Sequence, residues 1–272
     1  MTVVTLALRA RPAVPLEAPC VRPDTFASLG EAEIARLAVW HGNEQCQLGD
    51  FFDVRGGRAT DVRITGETAA VKRLGAAMAG GRLVIDGDAG MHAGAAMTGG
   101  ELRIEGNADD RAGAGMRGGL LDVRGDAGDY AGGAYEGSSR GMMGGTLIVR
   151  GHAGAFLGLR MRRGLVAVDG SVGDYAGAGM IAGTIVVTGD VGRCPGAGLR
   201  RGTIVAHGAI TLLPTYRYAC TYRPPFLTVF LRALRDGHGL DIDDRFLRGL
   251  YRRYNGDFAE LPKGEILVWT SG

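Results

Sequence analysis

A chain of 272 residues, 46% of them hydrophobic, can build one large domain or two small ones, and its formal net charge of +2 argues against a dedicated nucleic-acid binder. An aromatic content of 7% beside 48 glycines suits a thin interior better than a broad globular core. Nothing approaches the roughly 18 uninterrupted apolar residues of a membrane-crossing helix, so none is expected.

In chain order, residues 2–8 (TVVTLAL) form an expected opening strand, and the arginines at positions 9 and 11 do not suit a signal peptide. Pro12, Pro15, Pro19 and Pro23 then impose an extended connection. Residues 24–37 predict a short helix, with Ser28 as N-cap and Glu31 at capping-box spacing. Residues 39–54 are less periodic and are expected to lead into the next unit, with Phe51 and Phe52 covering its first repeat. His41 and Cys46 have no partners nearby at metal-ligand spacing.

From Gly75 to Gly208 one phrase recurs seven times: GAAMAGGRLVIDG (75–87), GAAMTGGELRIEG (94–106), GAGMRGGLLDVRG (113–125), SRGMMGGTLIVRG (139–151), GLRMRRGLVAVDG (158–170), GAGMIAGTIVVTG (177–189) and GAGLRRGTIVAHG (196–208). The closing glycines step by 19 residues, apart from one step of 26 between Gly125 and Gly151, and a degenerate earlier copy ends at Gly66. Such a period signals stacked repeats. Before each closing glycine apolar residues alternate, as in Leu83 and Ile85 or Ile185 and Val187, which marks a strand with one buried face. At about 3.3 Å per residue each repeat has a contour of roughly 60 Å, enough for a three-sided coil. The expected fold is all-β: a right-handed parallel β-helix, or single-stranded solenoid, over 39–210. An N-terminal strand and short helix (1–38) and a helical capping segment (211–272) flank it.

Stacked repeats align residues into columns. One runs His92, Arg111, Tyr130, Phe156, Tyr175, Cys194, either a wall sealing one corner or a platform for a ligand. Another, facing outward, runs Val84, Arg103, Asp122, Ile148, Ala167, Val186, Val205 and turns apolar in its second half. That stripe needs a cover, from the C-terminal helices or from another subunit. The seven extra residues fall near 135–141 (YEGSSRG) and leave as a loop, a partner contact or a solvated excursion. Tyr135 and Arg140 of this loop, with Ile148, Val186 and Val205 of the stripe, are therefore the expected partner interface.

Arg160, Arg162 and Arg163 share one repeat, and Arg200 and Arg201 align with the last two of them two repeats later. This places the pairs roughly 10 Å apart on one corner. Guanidinium forks grip carboxylate or phosphate oxygens in pairs, so the corner suits an anionic ligand or partner, or else a solvated surface paired with acidic residues. After Gly208 the rhythm stops. Residues 211–225 predict an irregular crossover, 226–235 an amphipathic helix ended by Gly237, 243–254 a second helix and 264–269 a last strand.

Signals for chemistry within the chain are few. The histidines at 41, 92, 152, 207 and 238 lack metal-binding spacing, and GSSRG around Ser138 and Ser139 is not a nucleophile elbow. Cys20, Cys46, Cys194 and Cys220 are widely spaced without C-x-x-C, which suits reduced thiols in the cytoplasm. Of 31 basic residues only Lys72 and Lys263 are lysine, a bias typical of GC-rich bacterial coding. No catalytic site and no metal are expected.

The repeated G-x-x-M-x-x-G-x-(Ile/Leu)-x-(Ile/Val)-x-G resembles the signature of the C subunit of formylmethanofuran dehydrogenase and, more distantly, the C-terminal β-helix of the glutamate synthase large subunit. This chain departs from it at Ser139 for the first glycine, Leu199 for methionine and Ala182 for a glycine. The resemblance extends over 39–269. It implies a non-catalytic scaffold subunit in a complex handling formyl groups on a methanofuran-type carrier, with formyltransferase-like and amidohydrolase-like partners. The arginine-rich bacterial composition favours the formyltransferase/hydrolase complex of methylotrophic bacteria, which moves formyl from a tetrahydromethanopterin carrier to a methanofuran analogue and releases formate. Alternatives are the C subunit of a tungsten or molybdenum formylmethanofuran dehydrogenase and a stand-alone relative of the glutamate synthase β-helix. Carriers of this type have anionic glutamyl tails, which Arg160, Arg162, Arg163, Arg200 and Arg201 would suit.

Overall fold

The computed structural model describes residues 3–271; Met1, Gly272 and Thr2, the first residue of the expected opening strand, lie outside the described residues. The regular secondary structure is mostly strand, with few and short helices. Strand β1 (Val4–Leu8) buries Val4, Leu6 and Leu8. After β2 (Leu16–Glu17), the single helix expected over 24–37 is two, α1 (Pro23–Phe26) and α2 (Glu31–Ala35). Ser28 caps neither. The Gly30 N–H donates to Glu33 Oε2 at 2.7 Å, while Glu31 accepts from the Gly56 N–H at 2.8 Å and so ties α2 to the sheet. The lead-in segment is a hairpin of β3 (Ala38–His41) and β4 (Glu44–Gln47), then α3 (Leu48–Phe51) and β5 (Phe52–Arg55), with Phe52 buried in the core and Phe51 packed against it. Strand β6 (Asp61–Thr65) belongs to the degenerate first repeat, and β7 (Val71–Lys72) follows it.

The seven phrases supply β8 (Arg82–Ile85), β9 (Glu101–Ile104), β10 (Leu120–Val123), β11 (Met143–Val149), β12 (Arg163–Val168), β13 (Thr184–Val187) and β14 (Arg201–Ala206). Each pairs in parallel with the next at the repeat spacing. Leu83, Leu102, Leu121, Leu147, Val166, Ile185 and Ile204 thus lie on one register line, all fully buried. A second line of parallel bridges joins Ala89, Ala108, Ala127, Ala153, Val172, Val191 and Ile210. A third buried line is Met78, Met97, Met116, Met142, Met161, Met180 and Leu199. The closing glycines bond to one another, Gly106 N to Gly87 O at 3.0 Å and Gly125 N to Gly106 O at 2.9 Å. An inward Leu is worth only about 2 kcal/mol, so order comes from repetition: each repeat satisfies the backbone groups of its neighbours.

The C-terminal segment departs from expectation in three ways. Within the expected crossover, Arg217–Tyr222 is a strand, β15, followed by α4 (Pro225–Arg232), which runs through a π-helical turn to Gly237. Of the second expected helix only α5 (Asp244–Arg248) forms, capped by the Asp243 carboxylate on the Arg245 N–H at 2.8 Å. Leu250–Gly256 is β16 instead, because it pairs antiparallel along its whole length with β17 (Lys263–Thr270) and buries Tyr251. The sheet order at this end is β15-β16-β17-β14, so strands rather than helices prolong the sheet. The end of the core is filled by Tyr216, whose hydroxyl donates to Gly196 O at 2.9 Å. At the other end β6 is followed by β1 and then β5.

The helices cover the outward apolar stripe. Ile148, Ala167, Val186 and Val205 are fully buried in a cluster with Leu227, Leu231, Leu234, Ile242, Phe246 and Leu247. Ile148, Val186 and Val205 are therefore not a free partner interface: the cover comes from this chain itself. Arg150 fastens it, with Nε and Nη2 on the Asp122 carboxylate (3.1 and 3.3 Å), Nη1 on Gly239 O (2.8 Å) and Nη2 also on His238 O. Among the described residues no helix is long and apolar enough to cross a membrane.

His207 is buried under the same cover, its ring stacked on Phe246 at 3.9 Å. The Tyr251 hydroxyl donates to Phe246 O at 2.9 Å, so His207 Nε2 must donate to Tyr251 at 3.1 Å and Nδ1 is left bare. Burial, aided by Arg245, holds the imidazole down to about 3. The unfolded chain takes up this proton below about pH 6.5 and the folded chain does not, so stability is lost as pH falls, by about 1.4 kcal/mol per unit. Urea melts at pH 7.5 and 5.0 should show wild type losing about 2 kcal/mol more than His207→Gln; equal losses would contradict the buried neutral ring.

Candidate functional site

The five arginines singled out by alignment come together. Backbone hydrogen bonds run from Ile181 N to Met161 O at 2.7 Å and from Arg200 N to Met180 O at 2.9 Å, which sets Arg162, Ile181 and Arg200 on one line up the corner. Arg160, Arg162 and Arg200, joined by Arg140 of the insertion, line a cleft of about 570 Å³. Arg162, Arg163, Arg200 and Arg201 line an adjoining hollow of about 420 Å³ with Ile181, Ala182 and Leu261. All of these arginine side chains are exposed. Arg160 Nη1 donates to Ser138 O at 2.7 Å, which aims it across the cleft mouth. Among the described residues only Arg200 of this group has a carboxylate within reach, Glu260 at 3.3 Å. Repeat alignment does not point to Glu260, because it arrives from the segment before β17, far along the chain. The cleft is a set of guanidinium donors with one carboxylate already seated, a geometry suited to an extended polyanion.

The insertion turns back over the preceding repeats. Tyr135 is half-buried, its ring stacked on His92 at 5.5 Å and its hydroxyl 3.0 Å from His92 Nδ1, and Glu136 pairs with Arg111. Burial together with Arg73 and Arg111 holds the His92 imidazole below its usual value. Tyr135 is thus engaged within the chain, whereas Arg140 remains exposed in the cleft.

Within the column beginning at His92, the members from Arg111 to Tyr175 form a continuous stack. Arg111 lies over Tyr130 at 4.6 Å, Tyr130 stacks on Phe156 at 4.9 Å and Phe156 on Tyr175 at 5.0 Å, with interplanar angles of 3° and 5°. Every member from His92 to Cys194 has positive φ, 56° to 66°, so a left-handed conformation that favours glycine is borne here mostly by bulky residues. From His92 to Tyr175 each is held by a bond to the next repeat, such as Tyr130 N to Ala155 O at 2.8 Å and Phe156 N to Asp174 O at 2.8 Å. Stacking between flat rings at this spacing offsets part of the backbone cost.

A second column is not among the sequence expectations. The residue after each closing glycine accepts a backbone N–H from its counterpart one repeat on: Asp88 from Asn107, Asn107 from Asp126, Asp126 from His152, His152 Nδ1 from Ser171, Ser171 from Asp190 and Asp190 from Ala209, at 2.7 to 3.0 Å. Its signal in the sequence is a polar residue following every closing glycine until Ala209 ends the series. His152 is therefore part of the corner and needs Nδ1 unprotonated. All four cysteines are free, and burial pushes the Cys20 thiol up to about 11. Among the described residues no group of three or more His, Cys, Asp or Glu side chains could hold a metal.

No family model matches the sequence. The C subunit of a tungsten-containing formylmethanofuran dehydrogenase 2 from Methanothermobacter thermautotrophicus is 38% identical over 97 residues, 34% of this chain and 36% of the relative. The C subunit of a molybdenum-containing formylmethanofuran dehydrogenase 1 from Methanosarcina barkeri is 38% identical over 84 residues, 29% of this chain and 28% of the relative. The matched region is about a third of the length of these curated relatives or less. Among solved structures, a chain of the formyltransferase/hydrolase complex (FhcABCD) from Methylorubrum extorquens in complex with methylofuran superposes with a TM-score of 0.91 and 39% identity, covering 98% of this chain and 100% of that one. The chain belongs to the family of formylmethanofuran dehydrogenase C subunits. For a member of this family, its surface offers one feature with anion-binding chemistry, the arginine cleft, and one with stacking chemistry, the aromatic corner.

Proposed function

We propose that this chain is the scaffold subunit of a cytoplasmic formyltransferase/hydrolase complex, in which partner subunits move formyl from a tetrahydromethanopterin carrier to a methanofuran analogue and release formate. The observation that carries this reading is the correspondence, over 98% of the chain, with a chain of the Methylorubrum extorquens complex. The 19-residue parallel register supports the matching architecture, a right-handed parallel β-helix, since parallel crossovers overwhelmingly take that hand. Three buried lines and a polar corner column make it stiff, as a body that positions other subunits requires. Purification through a tagged copy from the native host should bring down transferase-like and amidohydrolase-like subunits, and the chain alone should not turn over a formylated carrier. Turnover by the isolated chain would overturn the scaffold role. A second reading, the C subunit of a metal-dependent dehydrogenase, is favoured by the curated relatives; stoichiometric tungsten or molybdenum in the purified complex would select it.

Within this reading the arginine cleft holds the anionic tail of a methylofuran-type carrier. Replacing Arg162, Arg163, Arg200 and Arg201 together by Ala should lower carrier retention about tenfold or more, while the complex stays assembled. Glu260→Gln should act oppositely, strengthening retention roughly two- to fivefold by freeing Arg200. Carrier content measured by mass spectrometry decides; no change in either variant discards the cleft as its site.

A further inference from the structure

The helix that covers the sheet has a second apolar face. Leu227 and Leu231 of α4 point inward and are buried, yet Phe226, Val229 and Phe230 on the other side are exposed by 39%, 69% and 39%. A helix lying on its own sheet needs one apolar stripe, and one that is apolar on both sides belongs between two surfaces. The outward residues fall at the i, i+3, i+4 spacing by which helices present anchors to a groove, and Phe226 and Phe230 already meet edge to face at 6.4 Å.

Charge identifies the occupant. Arg223 and Arg232 flank these residues, both exposed, and among the described residues neither has a carboxylate within 4.0 Å. Farther along, Arg235 pairs with Asp236 and Asp244, and Arg248 with Asp244, so the uncommitted guanidiniums are those beside the apolar anchors. A second copy meeting this face about a twofold axis would set arginine against arginine, which costs association. Next to α4 in the chain, β15 is the terminal strand of the large sheet and its residues are almost wholly exposed. Its register breaks between Tyr218 and Cys220, so the helix rather than the strand edge carries the surface.

We propose that the outer face of α4, with Phe226, Val229 and Phe230 ringed by Arg223 and Arg232, docks an apolar patch bordered by carboxylates on a different protein subunit. This rests on the reading that the chain works inside a hetero-oligomer. The test uses the complex isolated from the native host through a tagged copy of this chain, carrying in turn Val229→Asp with Phe230→Ser, Arg223→Glu with Arg232→Glu, and Val229→p-benzoylphenylalanine for photo-crosslinking. Both double variants should lower recovery of one partner subunit at least tenfold. The crosslink should map to an apolar segment of that subunit flanked by Asp or Glu. A crosslink to a second copy of this chain, or intact complexes in both variants without any crosslink, overturns the surface alone. A wild-type chain that purifies without partners overturns the hetero-oligomer reading and this surface with it.

Discussion

Gly119→Val should leave little folded protein, with stability falling by more than about 4 kcal/mol. Gly119 immediately precedes β10 with φ of +81°, and a Cβ there would lie 2.7 Å from both Gly100 O and Met97 Cε and 2.8 Å from Gly99 C. Two of these three atoms are backbone of the preceding repeat, so no side-chain rotation relieves the clash. The repeats would have to part, and the bond from Leu120 N to Gly100 O at 2.9 Å would go with them. A β-branched residue is also poorly tolerated at positive φ. Gly80→Ala is the control: a Cβ there meets nothing within 4 Å, and its effect should stay near zero. Soluble yield and far-UV circular dichroism check both. If Gly119→Val melted within a few degrees of wild type, the close stacking of repeats would be the wrong account of this corner.

The second large effect is expected at Arg150. Asp122 occupies an outward position that the helical cover buries, so its carboxylate depends on Arg150, with Arg124 a more distant partner at 3.6 Å. Arg150→Ala also removes the two bonds to the carbonyls of His238 and Gly239 that hold the cover at its turn. The cost should be about 3 kcal/mol, the low end for breaking a buried pair, because Arg124 stays. It should also be local. Limited proteolysis should cut the segment between α4 and α5 well before the repeats, whereas wild type resists. Uniform cleavage through the repeats would show that Arg150 serves the sheet and not the cover. The double variant Asp122→Asn with Arg150→Met should recover most of the loss, since it leaves no uncompensated buried charge.

Repetition made the ladder legible. A 19-residue clock with alternating apolar residues can only pair in parallel and in register, and the arginine corner followed from the same alignment. What stayed hidden lay outside the repeats, where local propensity and tertiary demand part company. Arg252 and Arg253 looked like the end of a helix, but the edge of β17 offers that segment a full antiparallel partner, and pairing won. The outward stripe pointed to a cover without saying whose it was, and Leu227, Leu231 and Leu234 supply it from the same chain. Glu260 reached the arginine cleft across a separation that no pattern encodes. The polar residue after each closing glycine stands in plain sight, but it changes among Asp, Asn, His and Ser, so no single letter marks the column.

Identical spacing between repeats gives the body graduated length. Each 19-residue unit advances the stack by one strand separation, about 4.8 Å, without changing the corners beside it, because the same bonds recur at every step. Excising residues 88–106, one whole period, would bring β1 and α4 closer together by that increment and leave the surfaces around each intact. The molecule is in this sense a ruler whose markings are set by its glycines, and the distance between its two ends can be retuned one graduation at a time.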